Sequence, residues 1–142
     1  MSNPLLRKEY PVDSGVFESA GDCSSDIKAT LKKLGLPSAL IRRVSIAAYE
    51  AEINLIIHSH GGELILEVNP EGIRLVCRDV GPGMKDVEKA MQEGWSTAPD
   101  SVRLIGFGAG MGLPNMKRNT DVFDIQSVYG SGTTITMDFH TA

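Results

Sequence analysis

Positive charge is what this chain fails to accumulate: 14 lysines and arginines stand against 18 aspartates and glutamates, for a formal net charge of −4. A domain that tracks a nucleic-acid backbone needs a basic field, so no nucleic-acid partner is expected. Cysteine is scarce as well, with Cys23 and Cys77 alone. Two such residues make neither a disulfide framework nor a CxxC pair. Both are expected to be reduced thiols, with Cys77, inside the apolar stretch IRLVC, in the core. No apolar run approaches the ~20 residues that cross a bilayer. The opening MSNPLLRKEYPVD also lacks the apolar centre of a signal peptide. A cytoplasmic protein that engages no membrane is expected.

What is present suits a single domain over residues 1–142, long enough to bury a core without disulfide or metal staples. A strand is predicted over 5–12, with a second extended piece near 15–19. A helix follows over 22–34, capped by Asp22, Ser24 or Ser25, with Ile27, Leu31 and Leu34 on one face and Gly35 as its stop. The longest helical pattern runs over 39–59. Leu40, Val44, Ala48, Ala51 and Leu55 form its main stripe, and Ile46, Ile53 and Ile57 lie on another side, so burial on more than one face is expected. GELILEVNPEGIRLVCRDV reads as a hairpin turning at 69–72, and VFDIQSVYGSGTTITMDFH as a second turning at 129–132. Between them lie a short helix over 84–93, a stretch without periodicity over 94–110 holding Trp95, and a helix over 111–119. Such an order predicts an α+β fold, with helices covering one face of an antiparallel sheet.

Three groups of residues carry chemistry. Glu50 and Asn54 are one turn apart and so share a helix face. They are either a satisfied polar pair or a working one, since an Asn oxygen is a hard ligand suited to Mg²⁺ between phosphates and a carboxylate can accept a hydroxyl proton. Asp79 ends a strand and opens DVGPG. That composition serves a plain turn, and equally a site where the carboxylate takes a hydrogen bond from an exocyclic amine while a flat base slides over Gly81 and Gly83. Finally, GFGAGMG places Gly106, Gly108, Gly110 and Gly112 just before a helix. Bare backbone there can approach a phosphate, and the helix start adds partial positive charge. The run lacks the G-x-G-x-x-G spacing after a first strand and is not followed by Lys-Ser/Thr, which removes dinucleotide and P-loop readings.

The ordered set, E-x-x-x-N on a long helix, D-x-G-x-G after a hairpin, G-x-G-x-G before a helix and G-x-G-T in a closing hairpin, resembles the GHKL ATPase superfamily. These are the boxes of the Bergerat fold of DNA gyrase and histidine kinases. YEAEINLIIHSHGG, DVGPGM, GWST and the stretch from GFGAGMG to TITM are most similar to the anti-sigma-factor serine/threonine protein kinases, in the branch like the stressosome switch kinase.

This resemblance, over about 38–139, implies a two-layer α/β sandwich. Its mixed, mostly antiparallel sheet would be covered on one face by helices, with a mobile ATP lid over about 94–110. It implies ATP and Mg²⁺ as cofactors, with Asn54 as the metal ligand and Glu50 as the general base toward a substrate Ser or Thr. Asp79, Gly81, Gly83 and, through water, Thr133 would bind adenine. Gly106, Gly108, Gly110, Met111 and Gly112 would hinge the lid and cradle the triphosphate. Lys117 and Arg118 would either neutralise phosphate or form a solvated helix face.

The implied partners are a STAS-like antagonist protein, a sigma factor, or both, and a homodimer is compatible with the family. The alternative implied activity is a catalytically weak ATP-binding module that sequesters a sigma factor or other partner. One departure stands out: APDSVRLI, over 98–105, is inserted between GWST and the glycine run, where the compact pattern passes almost directly.

Overall fold

Alternating apolar and polar residues build five strands, because successive side chains of a strand point to opposite faces. The computed structural model describes residues 5–13, 15, 17–58, 61–80, 112–128 and 130–141. In chain order the elements are β1 (Leu6–Val12), α1 (Asp22–Lys33), α2 (Ser38–His58), β2 (Gly62–Asn69), β3 (Gly72–Asp79), α3 (Gly112–Asn119), β4 (Val122–Val128) and β5 (Gly132–His140). The strands form one sheet in the order β1-β2-β3-β5-β4, with every neighbouring pair antiparallel. Leu64, Leu66, Ile73, Leu75, Ile135, Met137 and Phe139 are fully buried and share one core with Ile27 and Leu31 of α1 and Val44, Ala48, Ala51 and Leu55 of α2. The fold is α+β, and its helices cover one face of the sheet. The helix over 84–93, the loop over 94–110 and the lid lie outside the described residues.

Helix α2 packs against α1 on one flank, α3 on the other and strands β2 and β3 beneath. Small residues make this possible, since Ala47, Ala48 and Ala51 are all fully buried and let the backbones approach. The expected stripe of Leu40, Val44, Ala48, Ala51 and Leu55 is buried throughout. Ile53 is buried as well, whereas Ile46 is 36% exposed and Tyr49 39% exposed.

Helix α1 differs from expectation at both ends. Its N-cap is Gly21, in the left-handed region at φ 97°, and no side chain of Asp22, Ser24 or Ser25 caps it. The Cys23 and Ser24 N–H groups instead donate to the carboxylate of Glu52, at 3.3 and 3.2 Å. At the other end Gly35 N–H donates to the Lys32 carbonyl and Leu36 N–H to the Leu31 carbonyl, with Gly35 at φ 75°. This double bond pattern closes the last turn. It sends Leu34 outward, 47% exposed, while Leu36 takes the place against the core. The piece near 15–19 is a 3₁₀ turn at Phe17–Ser19 rather than a strand. Gly15 N–H is already committed to the Ile56 carbonyl near the end of α2, which pins that segment to the helix instead of a sheet edge.

Two contacts set the register that matters for the site. Gly62 pairs opposite Asp79, and a side-chain carbon there would collide with the Arg78 carbonyl oxygen. Only glycine lets β2 run flat against the end of β3. Arg74 and Asp138, opposite one another on β3 and β5, form a two-pronged ion pair at 2.7 and 3.1 Å on the face away from the helices.

Candidate nucleotide and phosphotransfer site

Glu50 and Asn54 project from α2 on the side that meets α3. The Asn115 amide on α3 donates to Glu50 Oε1 at 3.2 Å, and a side-chain carbon on Gly112 would stand 3.5 Å from Glu50 Oε2. Glu50 therefore sits over the first turn of α3, the helix that directly follows the glycine run. Partial positive charge at a helix start attracts a carboxylate. Asn54 is partly buried one turn further on, and its side chain makes no hydrogen bond with the described residues. An amide oxygen in that state is open to a ligand from outside the fold.

The second half of the site lies at the end of β3. Asp79 Oδ1 accepts the Thr133 N–H at 2.7 Å, and the Thr133 hydroxyl lies 2.8 Å from that of Ser127. Thr133 is 4% exposed, so strand β5 starts from an anchored point. Two contacts bring this half under α2. The Cys77 thiol reaches the Ala51 carbonyl at 3.9 Å, and Leu55 packs beside Gly62, which pairs with Asp79. The stretch of α2 from Glu50 to Leu55 thus lies across the strand end carrying Asp79. Burial, with Asp79 adding its negative charge two residues on, pushes the Cys77 thiol far above its usual range, so it is an inert core group.

Glu50 and Gly112 therefore adjoin where α2 meets α3, with Asn54 one turn along α2, while Asp79 and Thr133 are joined at the strand ends that this stretch of α2 crosses. Gly81, Gly83, Gly106, Gly108, Gly110 and Met111 lie outside the described residues, as do Trp95 and the insertion over 98–105. Lys117 is exposed, and Arg118 donates to Asn115 Oδ1 at 3.0 Å. Two neighbours of the site escape a reading by pattern. Asn115 reaches Glu50 across 65 positions of sequence. Glu52 stands between Glu50 and Asn54, yet faces the opposite flank and is 1% exposed under α1. Its place among Ala51, Ile53, Leu55 and Ile56, all buried, is the one sequence signal that it points inward.

The donor set fits a nucleotide with a phosphate-held cation. Among the described residues no cluster of three or more His, Cys, Asp or Glu could cage a metal on its own. One amide oxygen beside a carboxylate suits an ion that takes most of its ligands from substrate phosphates and water. No helix among the described residues is long and apolar enough to cross a membrane.

Comparison with known proteins agrees with this geometry. The model of the histidine kinase-like ATPase domain family matches residues 18–139. The chain is 32% identical over 108 residues to serine/threonine-protein kinase RsbT of Bacillus subtilis, covering 73% of this chain and 75% of that protein. It is 34% identical over 106 residues to the anti-sigma F factor of Heyndrickxia coagulans, covering 66% and 65%. Against the anti-sigma F factor of Anoxybacillus flavithermus it is 31% identical, covering 70% and 69%. The chain belongs to the histidine kinase-like ATPase domain family, on the branch of the anti-sigma serine/threonine kinases.

Proposed function

We propose that this chain is an ATP-dependent protein kinase of the anti-sigma regulatory type, which phosphorylates a Ser or Thr of a small STAS-like antagonist in a partner-switching pathway. The observation that carries the reading is Glu50: a partly buried carboxylate with one oxygen held by Asn115 and the other beside Gly112, where the phosphate cradle opens into α3. In the transfer, the substrate hydroxyl oxygen forms a bond to the γ-phosphorus of ATP as the bond from that phosphorus to the bridging oxygen breaks. The electron pair leaves with ADP, and the hydroxyl proton passes to Glu50. Asn54 would hold the Mg²⁺, which neutralises phosphate charge as it shifts onto the leaving group. Asp79, braced by the Thr133 N–H, would accept from the adenine amine. Gly81 and Gly83 would admit the base, and Gly106, Gly108, Gly110, Met111 and Gly112 the phosphates.

A single domain spanning 1–142, a cytoplasmic location, a homodimer and a sigma factor as second partner belong to the same reading. The names of its relatives also support an alternative: an ATP-binding module that sequesters a sigma factor without needing catalysis. One experiment separates the two. Purified chain, labelled ATP and Mg²⁺ are mixed with a STAS-domain protein encoded beside it. A kinase transfers label and stops doing so as Glu50→Gln, while a sequestering module holds its partner equally well in that variant. Absence of transfer together with no measurable effect of Glu50→Gln sinks the kinase reading.

A further inference from the structure

Glu50 is not held by its own helix. Its Oε1 accepts the Asn115 amide at 3.2 Å, and Asn115 Oδ1 accepts the Arg118 guanidinium at 3.0 Å. The two contacts fix each other. Turning the Asn115 amide over would set its oxygen against a carboxylate and its NH₂ against a guanidinium, so one orientation satisfies both neighbours and the other satisfies neither. The backbone that carries Asn115 is itself anchored. Asn119 donates to the Asn115 carbonyl at 2.8 Å, and Arg43, two turns before Glu50 on α2, donates to the Asn119 carbonyl at 3.0 Å and pairs with Asp121 at 3.0 Å. Helix α3 is thus fastened to α2 at both ends, by Arg43 at its last turn and by Glu50 at its first.

We propose that Asn115 is the positioning residue of the phosphotransfer base: it holds Glu50 Oε1 so that Oε2, beside Gly112, is the oxygen that takes the substrate proton. The inference rests on the kinase reading of Glu50 and extends it. A glutamate carboxylate on three rotatable bonds presents either oxygen in many directions, and a base displaced from its hydrogen-bonding geometry loses most of its effect. Asn115 removes that freedom from one oxygen only. Because it stands on the helix that begins where the glycine run ends, the base is set by the same element that opens the phosphate cradle.

Two measurements test this. The first needs no catalysis: a double-mutant cycle of Glu50→Ala and Asn115→Ala in urea unfolding, where contact predicts a non-additive change of about fivefold or more in the unfolding constant. Strict additivity overturns the contact and the proposal. The second is kinetic. Asn115→Ala is expected to lower kcat about tenfold while KM for ATP stays within about twofold.

Asn115→Asp decides between roles, since it keeps the size and the acceptor for Arg118 but faces Glu50 with an anion instead of a donor. It must fall at least as far as Asn115→Ala. Normal kcat in either variant overturns the proposal, and so does a parallel loss of ATP affinity and rate. Failure of the kinase reading looks different: wild-type chain transfers no phosphate although the unfolding cycle still shows coupling.

Discussion

Glu52 offers the sharpest test of how this fold is held. Its carboxylate is 1% exposed and accepts the Cys23 and Ser24 N–H groups at 3.3 and 3.2 Å, while the N-cap, Gly21, supplies no side chain. These are the second and third residues of α1, whose N–H groups have no partner within their own helix. Glu52→Ala leaves the buried Ser24 donor and the part-buried Cys23 donor unpaired, at about 1–3 kcal/mol for a buried one and less for the other, partly offset because a charge no longer has to be buried. A net loss of about 3 kcal/mol is expected, or roughly 10 °C in Tm for a chain of this size. Glu52→Gln keeps the shape and one acceptor but brings an NH₂ against the second donor, so its cost is about 1–2 kcal/mol. Urea unfolding followed by circular dichroism reads both, with the midpoint shifted at an unchanged slope.

Cys23 gives an independent readout of the same contact. Burial, and after it the charge of Glu52, pushes its thiol up to about 12. Removing that charge enlarges the thiolate fraction at fixed pH, so iodoacetamide should modify Cys23 several-fold faster in Glu52→Gln. A Glu52→Ala variant within about 0.5 kcal/mol of wild type, with unchanged alkylation, would refute the anchor.

Two further outcomes follow from the site and the surface. Asp79→Asn retains an oxygen for the Thr133 N–H and should fold normally, yet it turns an NH₂ toward the adenine amine. Saturable ATP binding by calorimetry should vanish, and affinity within about threefold of wild type would contradict the assignment. Asp26 accepts from the Tyr10 hydroxyl, and Lys8 adds its charge, which together hold its carboxyl below the ordinary 3.8. A depressed carboxyl stabilises the fold above its unfolded value and loses that contribution as pH falls through its folded value. The Tm gap between wild type and Asp26→Asn should therefore be full near pH 6 and close toward about pH 2, and a gap independent of pH would exclude the linkage.

How much of this was legible in the sequence depends on distance along the chain. Strands declared themselves because alternation is local, and the buried stripe of α2 because 3.6-residue periodicity is local. The start of α1 misled. Three residues able to cap it stand at the right place, and the chain uses none of them, since Glu52 arrives from 28 positions away. Leu34 misled for the opposite reason: periodicity extends a helix face past the turn at which Gly35 ends it. At the site, Glu50 and Asn54 were readable from their spacing and Asp79 from its strand end. Asn115 was not, because an asparagine on a short polar helix carries no mark of the partner it will meet. Spacing also separates the two glutamates of E-x-E-x-N, since Glu50 shares a face with Asn54 and Glu52 does not. Burial agrees, with Glu50 partly exposed beside Gly112 and Glu52 sealed under α1.

That separation explains why α2 is built as it is. Glu50 and Asn54, one turn apart, share a face of α2, whereas Glu52, two positions from each, points to the opposite flank. Glu50 meets α3 and Glu52 meets α1. The five-residue stretch from Glu50 to Asn54 therefore also meets both neighbouring helices, α3 through Glu50 and α1 through Glu52. Ala51 lies within that stretch, fully buried against the thiol of β3 that precedes Asp79 by two residues. A shift of α2 by one residue would remove Glu50 from Gly112, take Glu52 from the first N–H groups of α1 and part Ala51 from the Cys77 thiol at once. Packing and the candidate site here impose the same register on α2.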